Sequence, residues 1–145
     1  MVKYKGKRQE RFYFNLIDLQ RAGFVDNIVR IGLSEYSFWL VDQSTITDID
    51  VRDIKFSEFH LYVKDNGLLR PTFRLISPEI RLDCPHVYPG GEICLFHPKE
   101  FSWKRGSIFG YRLVLILYTW IAFYSLWKIT GNWYGEEYPH GIPKS

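Results

Sequence analysis

Cysteine is scarce in this chain of 145 residues, with Cys84 and Cys94 the only two. A secreted scaffold held by several disulfides is thereby excluded. Charge of one sign is also lacking: 19 Lys and Arg face 16 Asp and Glu, a net +3 that is too small to suggest a nucleic-acid partner. The basic start, Lys3, Lys5, Lys7 and Arg8, is followed by no apolar stretch of the signal-peptide kind, so a cytoplasmic protein is expected. The longest uncharged apolar run, Leu113 to Trp127, falls short of the ~20 residues that a membrane span needs, and Arg112 and Lys128 close it. It is expected to be a buried helix rather than a membrane segment. Repeats, low-complexity tracts and domain-dividing linkers are missing as well, and one domain over residues 1–145 is expected.

What the chain has in quantity is apolar and aromatic surface. Hydrophobic residues make up 46% and aromatics 18%, enough for a substantial core. Phe12, Leu16 and Leu19 recur at helical spacing, and Gly23 follows, which predicts a helix from about Arg8 to Gln20. The residues before it, 1–8, read as a solvated basic end or as a docking patch for an acidic partner. Four short β-branched and aromatic segments come next: Ile28–Leu33, Tyr36–Val41, Phe59–Lys64 and Thr72–Ser77. Asp65-Asn66-Gly67, Arg70-Pro71 and Ser77-Pro78 punctuate them, as turns and strand ends do. Consecutive strands with tight connections predict an antiparallel meander. Periodicity disappears between Asp83 and Trp103, and a long apolar helix is expected from Ser107 to Ile129, ended by Gly131. The plan is α+β: an N-terminal helix, a four-stranded antiparallel sheet, a long loop and one apolar helix.

Loops this long inside a small domain are often functional. This one holds both cysteines and two histidines, in Cys84-Pro85-His86, Tyr88-Pro89-Gly90-Gly91-Glu92-Ile93-Cys94-Leu95 and Phe96-His97-Pro98. Three readings compete. Cys84, His86, Cys94 and His97 are zinc-ligand types, although Cys-x-His is tighter than the usual ligand spacing. Both cysteines could be small buried hydrophobes, as Ile93-Cys94-Leu95 suggests. Alternatively, Cys94 is a nucleophile, with His86 or His97 handling charge and protons and Gly90-Gly91 permitting close backbone approach. A hydrolase and an acyl transferase fit this third reading equally.

The run Cys84 to Leu95, with Trp103 beyond it, resembles the ubiquitin-conjugating enzymes, which carry His-Pro-Asn, a Gly-containing loop and Ile-Cys-Leu around a thioester-forming cysteine. Pro71, the strand after it and the helix from Ser107 are similarly placed in that family. The chain departs from the pattern where His86 replaces Asn, Cys84 replaces His and Phe96 replaces an Asp, and two further C-terminal helices are not seen. Those departures, with Trp120–Trp127, Thr130-Gly131-Asn132-Trp133 and His140, are similar to the conjugating proteins of type II CBASS antiphage operons. The likeness is to their stand-alone form, since no Gly-rich phosphate-cradling loop is present.

The resemblance implies that Cys94 holds the C-terminal tail of a cGAS-like cyclic-nucleotide synthase (CD-NTase) as a thioester. The acyl group would then pass to an acceptor lysine of a target protein. It implies that His86 donates to the tetrahedral oxyanion and that His97 accepts a proton. Tyr88, Gly91, Trp103 and His140 are expected to contact partner or substrate, with 134–145 as a C-terminal tail. No cofactor or metal is implied, and the aromatic surface leaves a homodimer open. Two other readings remain: a conjugating enzyme for a bacterial ubiquitin-like protein, and a non-catalytic scaffold of the same fold.

Overall fold

The computed structural model describes residues 2–95 and 109–133, with side chains from residue 11 onward. Helix α1 spans Val2–Arg21. It begins well before the expected Arg8: Lys, Arg and Gln are good helix formers, and the helix runs through Gly6 despite its low propensity. Phe12, Leu16 and Leu19 bury one face. Gly23, at φ 86°, ends the helix. Its N–H reaches Gln20 O at 3.0 Å and that of Phe24 reaches Leu19 O at 2.9 Å, the paired bonds of a Schellman cap.

The main sheet is antiparallel with spatial order β1-β2-β5-β6, formed by β1 Val25–Arg30, β2 Glu35–Leu40, β5 His60–Lys64 and β6 Thr72–Ser77. Three of the four strands lie within a residue of their sequence-based positions. β1 lies three residues earlier than expected. Its first half carries Asp26 and Asn27, residues that strands disfavour, and the register breaks between Asp26 and Val29 with Asn27 at φ 51°. A two-stranded ribbon, β3 Thr45–Ile46 with β4 Ile49–Asp50, and a 3-10 turn at Phe56–Glu58 fill the β2–β5 connection; neither was foreseen.

Tyr36, Phe38, Leu40, Leu61, Val63 and Phe73 bury the inner sheet face against the helices. Phe109 joins the layers: its ring meets Phe73 edge-on at 5.3 Å and lies 5.8 Å from Phe12 and 6.0 Å from Phe38. Helix α2, Tyr111–Thr130, follows at once. It starts after the expected Ser107, since Phe109 and Gly110 form a bend. Gly131, at φ 79°, donates to Trp127 O at 2.8 Å and stops it.

By length and composition α2 could cross a membrane. In the fold, Leu113, Val114, Leu117, Tyr118, Trp120, Ile121, Ala122 and Tyr124 are buried. Tyr118 fastens it. Its hydroxyl accepts from Val41 N–H at 3.0 Å and lies 2.6 Å from Phe24 O and 2.7 Å from Val41 O, linking α2 to the chain on either side of the β1–β2 hairpin. The whole is the expected α+β architecture and is compatible with a ubiquitin-conjugating fold.

Candidate active site

The segment after β6 is laid down as a small hairpin on the sheet edge. Arg81 N–H donates to the Tyr124 hydroxyl of α2 at 3.0 Å, and Cys84 N–H donates to Arg81 O at 3.2 Å. Past Cys84 the chain folds on itself. Tyr88 N–H reaches Glu92 O at 2.9 Å and Gly91 N–H reaches Tyr88 O at 2.8 Å. Pro89 supplies the fixed φ that suits the turn, and Gly91 takes φ 92°, a conformation that a side chain would strain. The returning limb pairs on both sides: Ile93 bridges Val87 on the outgoing limb, while Glu92 bridges Arg74 and Ile93 N–H donates to Phe73 O of β6 at 2.9 Å. Arg74 also hydrogen-bonds the Gly90 carbonyl. A stretch without periodicity in sequence is therefore well hydrogen-bonded, to itself and to β6.

The two cysteines have different surroundings. Cys84, 4% exposed, belongs to the contiguous core, and burial pushes its thiol up to about 12. It behaves as the small hydrophobe of the second sequence reading. Cys94 is also buried, at 7% exposed, and its Sγ is 3.3 Å from the Tyr88 hydroxyl. Burial raises its pKa, while the hydrogen bond from Tyr88 and the charge of Arg70 work to lower it and Glu92 works to raise it. A thiol so enclosed, yet faced by a hydroxyl and a nearby guanidinium, sits among groups able to favour its anionic form.

His86 takes φ 62°, unusual for a residue with a side chain. Its carbonyl accepts from Cys94 N–H at 3.0 Å and from the Trp120 indole N–H at 3.2 Å. Its imidazole packs on Trp133, with ring centroids 4.8 Å apart. His86, Tyr88, Gly91 and Cys94 are thus gathered in one hairpin. His97, Trp103, His140 and the tail 134–145 lie outside the described residues, and with His97 so does one ligand of the zinc reading. Among the described residues no group of three or more His, Cys, Asp or Glu is placed to hold a metal. Trp120 and Tyr124, which by sequence suited core or interface, are core and stack at 5.1 Å.

Tyr88, named by the sequence as a contact to partner or substrate, turns its hydroxyl to Cys94. Arg70, which the turn signal Arg70-Pro71 marked only as punctuation, was missed: its charge works to lower the Cys94 pKa.

Residues 33–141 match the family described as Type II CBASS E2 protein, a span that includes the whole hairpin, and the chain belongs to that family. No curated protein matches the chain.

Proposed function

From membership of the type II CBASS E2 proteins and the geometry around Cys94, we infer that this protein is a cysteine-dependent acyl carrier and transferase. Its cargo is the C-terminal tail of a CD-NTase. In the loading step the Cys94 thiolate attacks the carbonyl carbon of an activated C-terminal acyl group, a thioester or mixed anhydride. The new C–S bond forms as the old leaving group departs. In the second step a neutral acceptor lysine amine attacks the thioester carbonyl, giving a tetrahedral oxyanion. Collapse breaks the C–S bond, returns Cys94 as thiolate and leaves an amide; the surplus proton of the amine passes to a base or to water.

His86, beside Cys94 in the hairpin, is assigned as donor to the oxyanion. One well-placed donor of that kind is worth ~3–4 kcal/mol. His97 is assigned as proton acceptor, and Tyr88, Gly91, Trp103 and His140 as contacts to the incoming tail. The observation that carries the reading is the setting of Cys94: its Sγ lies 3.3 Å from the Tyr88 hydroxyl, in a hairpin within the segment that matches the family.

The test is co-expression with the synthase encoded beside it, followed by denaturing gels with and without reductant. A covalent adduct that thiol reductant cleaves, and that Cys94→Ala abolishes, is expected. Adduct formation that survives Cys94→Ala would defeat the assignment. An adduct formed only with a small ubiquitin-like protein would replace the cargo and keep the chemistry.

A further inference from the structure

We propose that Trp133, just past the C-terminal cap of α2, is a positioning residue for His86 and holds its imidazole in place for the oxyanion. The inference rests on His86 being the donor to a Cys94 thioester, and it adds the residue that orients that donor.

Trp133 reaches the hairpin because of how α2 ends. Gly131 takes φ 79° and donates to Trp127 O at 2.8 Å, which turns the chain back. Asn132 N–H then donates to Thr130 Oγ1 at 3.1 Å, so the reversed segment is tied to the last helical turn. Trp133 follows, half-buried, with its ring 5.9 Å from that of Trp120 and edge-on to Phe123 at 5.8 Å. The same indole meets the His86 imidazole, with centroids 4.8 Å apart and planes tilted by 32°. The run Thr130-Gly131-Asn132-Trp133 thus supplies tie, cap and ring in four residues.

His86 is held twice by α2 and its cap. The Trp120 indole N–H holds its carbonyl, the oxygen that Cys94 N–H also reaches. Trp133 holds its ring. The first contact fixes the backbone opposite the nucleophile, and the second limits the side-chain torsions that the backbone leaves open. Without a ring to rest on, an imidazole in a half-exposed loop regains rotamers that point elsewhere. A donor stabilises an oxyanion most when it needs no reorganisation at the moment of reaction. The effect of Trp133 on the reaction therefore passes through the imidazole.

Two measurements on the full chain test this. The first needs no acyl donor. The NMR signals of the His86 ring, assigned by their loss in His86→Gly, carry the ring-current shift of the neighbouring indole. Trp133→Leu is expected to move them toward the values of a free imidazole.

The second follows discharge of the reductant-cleavable adduct, isolated from co-expression, into excess free lysine. Trp133→Leu is expected to slow discharge about tenfold, and Trp133→Phe, which keeps a ring, about threefold. His86→Gly, which accepts φ 62° without strain, should slow it about a hundredfold. Trp133→Leu should add little in that background. Urea unfolding shows that each variant compared is folded.

Parental discharge in folded Trp133→Leu or Trp133→Phe overturns the proposal. So does a full Trp133→Leu effect in His86→Gly, or a His86 signal that does not move. The underlying reading fails in a different way: the parent forms no reductant-cleavable adduct, or His86→Gly discharges it at the parental rate. In either case the proposal falls with that reading.

Discussion

Trp120 on α2 and His86 in the hairpin are joined by one hydrogen bond, indole Nε1–H to backbone carbonyl at 3.2 Å, on the same oxygen that Cys94 N–H reaches at 3.0 Å. The core helix thus helps fix the backbone that carries the candidate nucleophile. Trp120→Phe keeps a ring to stack on Tyr124 and removes the donor. A loss of about 1 kcal/mol in stability is expected from one neutral hydrogen bond. Adduct formation should fall further than that loss explains. Urea unfolding and adduct yield, measured on the same samples, check the split.

Gly91 combines φ 92° with a Cβ direction that would bring a methyl 3.5 Å from Arg74 Nη1. The backbone strain rather than the contact dominates, and Gly91→Ala should cost ~1–2 kcal/mol. Because the strain falls on the turn between Tyr88 and Cys94, adduct formation should drop while the rest of the fold persists. Thermal melts compared with gel assays show whether the two effects separate.

Cys84→Ala and Cys94→Ala should have opposite consequences. The first removes a core sulfur and should lower stability by about 1 kcal/mol, on the scale of one buried methylene-sized group, with the adduct retained. The second, also at a buried position, should cost a similar amount and remove the adduct, so the opposition lies in the adduct alone. Loss of the adduct in folded Cys84→Ala would give that residue a chemical role that its core position does not suggest.

Tyr118 is held neutral by burial, its hydroxyl pushed from 10.0 up to about 12. Its contribution is complete below pH 10, where it is neutral both folded and unfolded. The contribution is lost as pH rises toward 12, because the unfolded chain ionises first. Tyr62 and Cys84, also raised to about 12, act in the same direction. Tyr118→Phe leaves the Val41 N–H without this acceptor and should cost ~1–3 kcal/mol at neutral pH. Its alkaline loss of stability should be shallower than that of the parent, though still present. Chemical denaturation at pH 7, 10 and 11.5 measures both effects.

Much of this architecture could be read from residue pattern, and the failures have local causes. Thr72–Ser77 was placed correctly because Pro71 and Pro78 bracket it. The long apolar helix was evident from Leu113 onward, and Gly131 marked its end. β1 was displaced because Asp26 and Asn27 look like a turn, and a bulge there lets the strand continue past them. Pro89, Gly90 and Gly91 signalled irregular backbone but not the hairpin that they turn. Nor was the meeting of Tyr88 Oη with Cys94 Sγ legible, because it depends on how the two limbs of the hairpin pair, and no local spacing encodes that. The surroundings of the cysteines were equally hidden: Ile93-Cys94-Leu95 has the composition of core and all three are buried, and only the fold shows the Cys94 sulfur against the Tyr88 hydroxyl.

The account depends most on where the acyl bond forms, and tandem mass spectrometry of the trapped adduct reads that directly. In Cys94→Ser the thioester becomes a more persistent oxyester. The expected spectrum joins the donor's C-terminal residue to the peptide containing position 94, and to no other peptide of this chain. A donor C-terminus attached at Cys84, at a lysine of this chain, or nowhere at all when donor and protein are both folded, would contradict it.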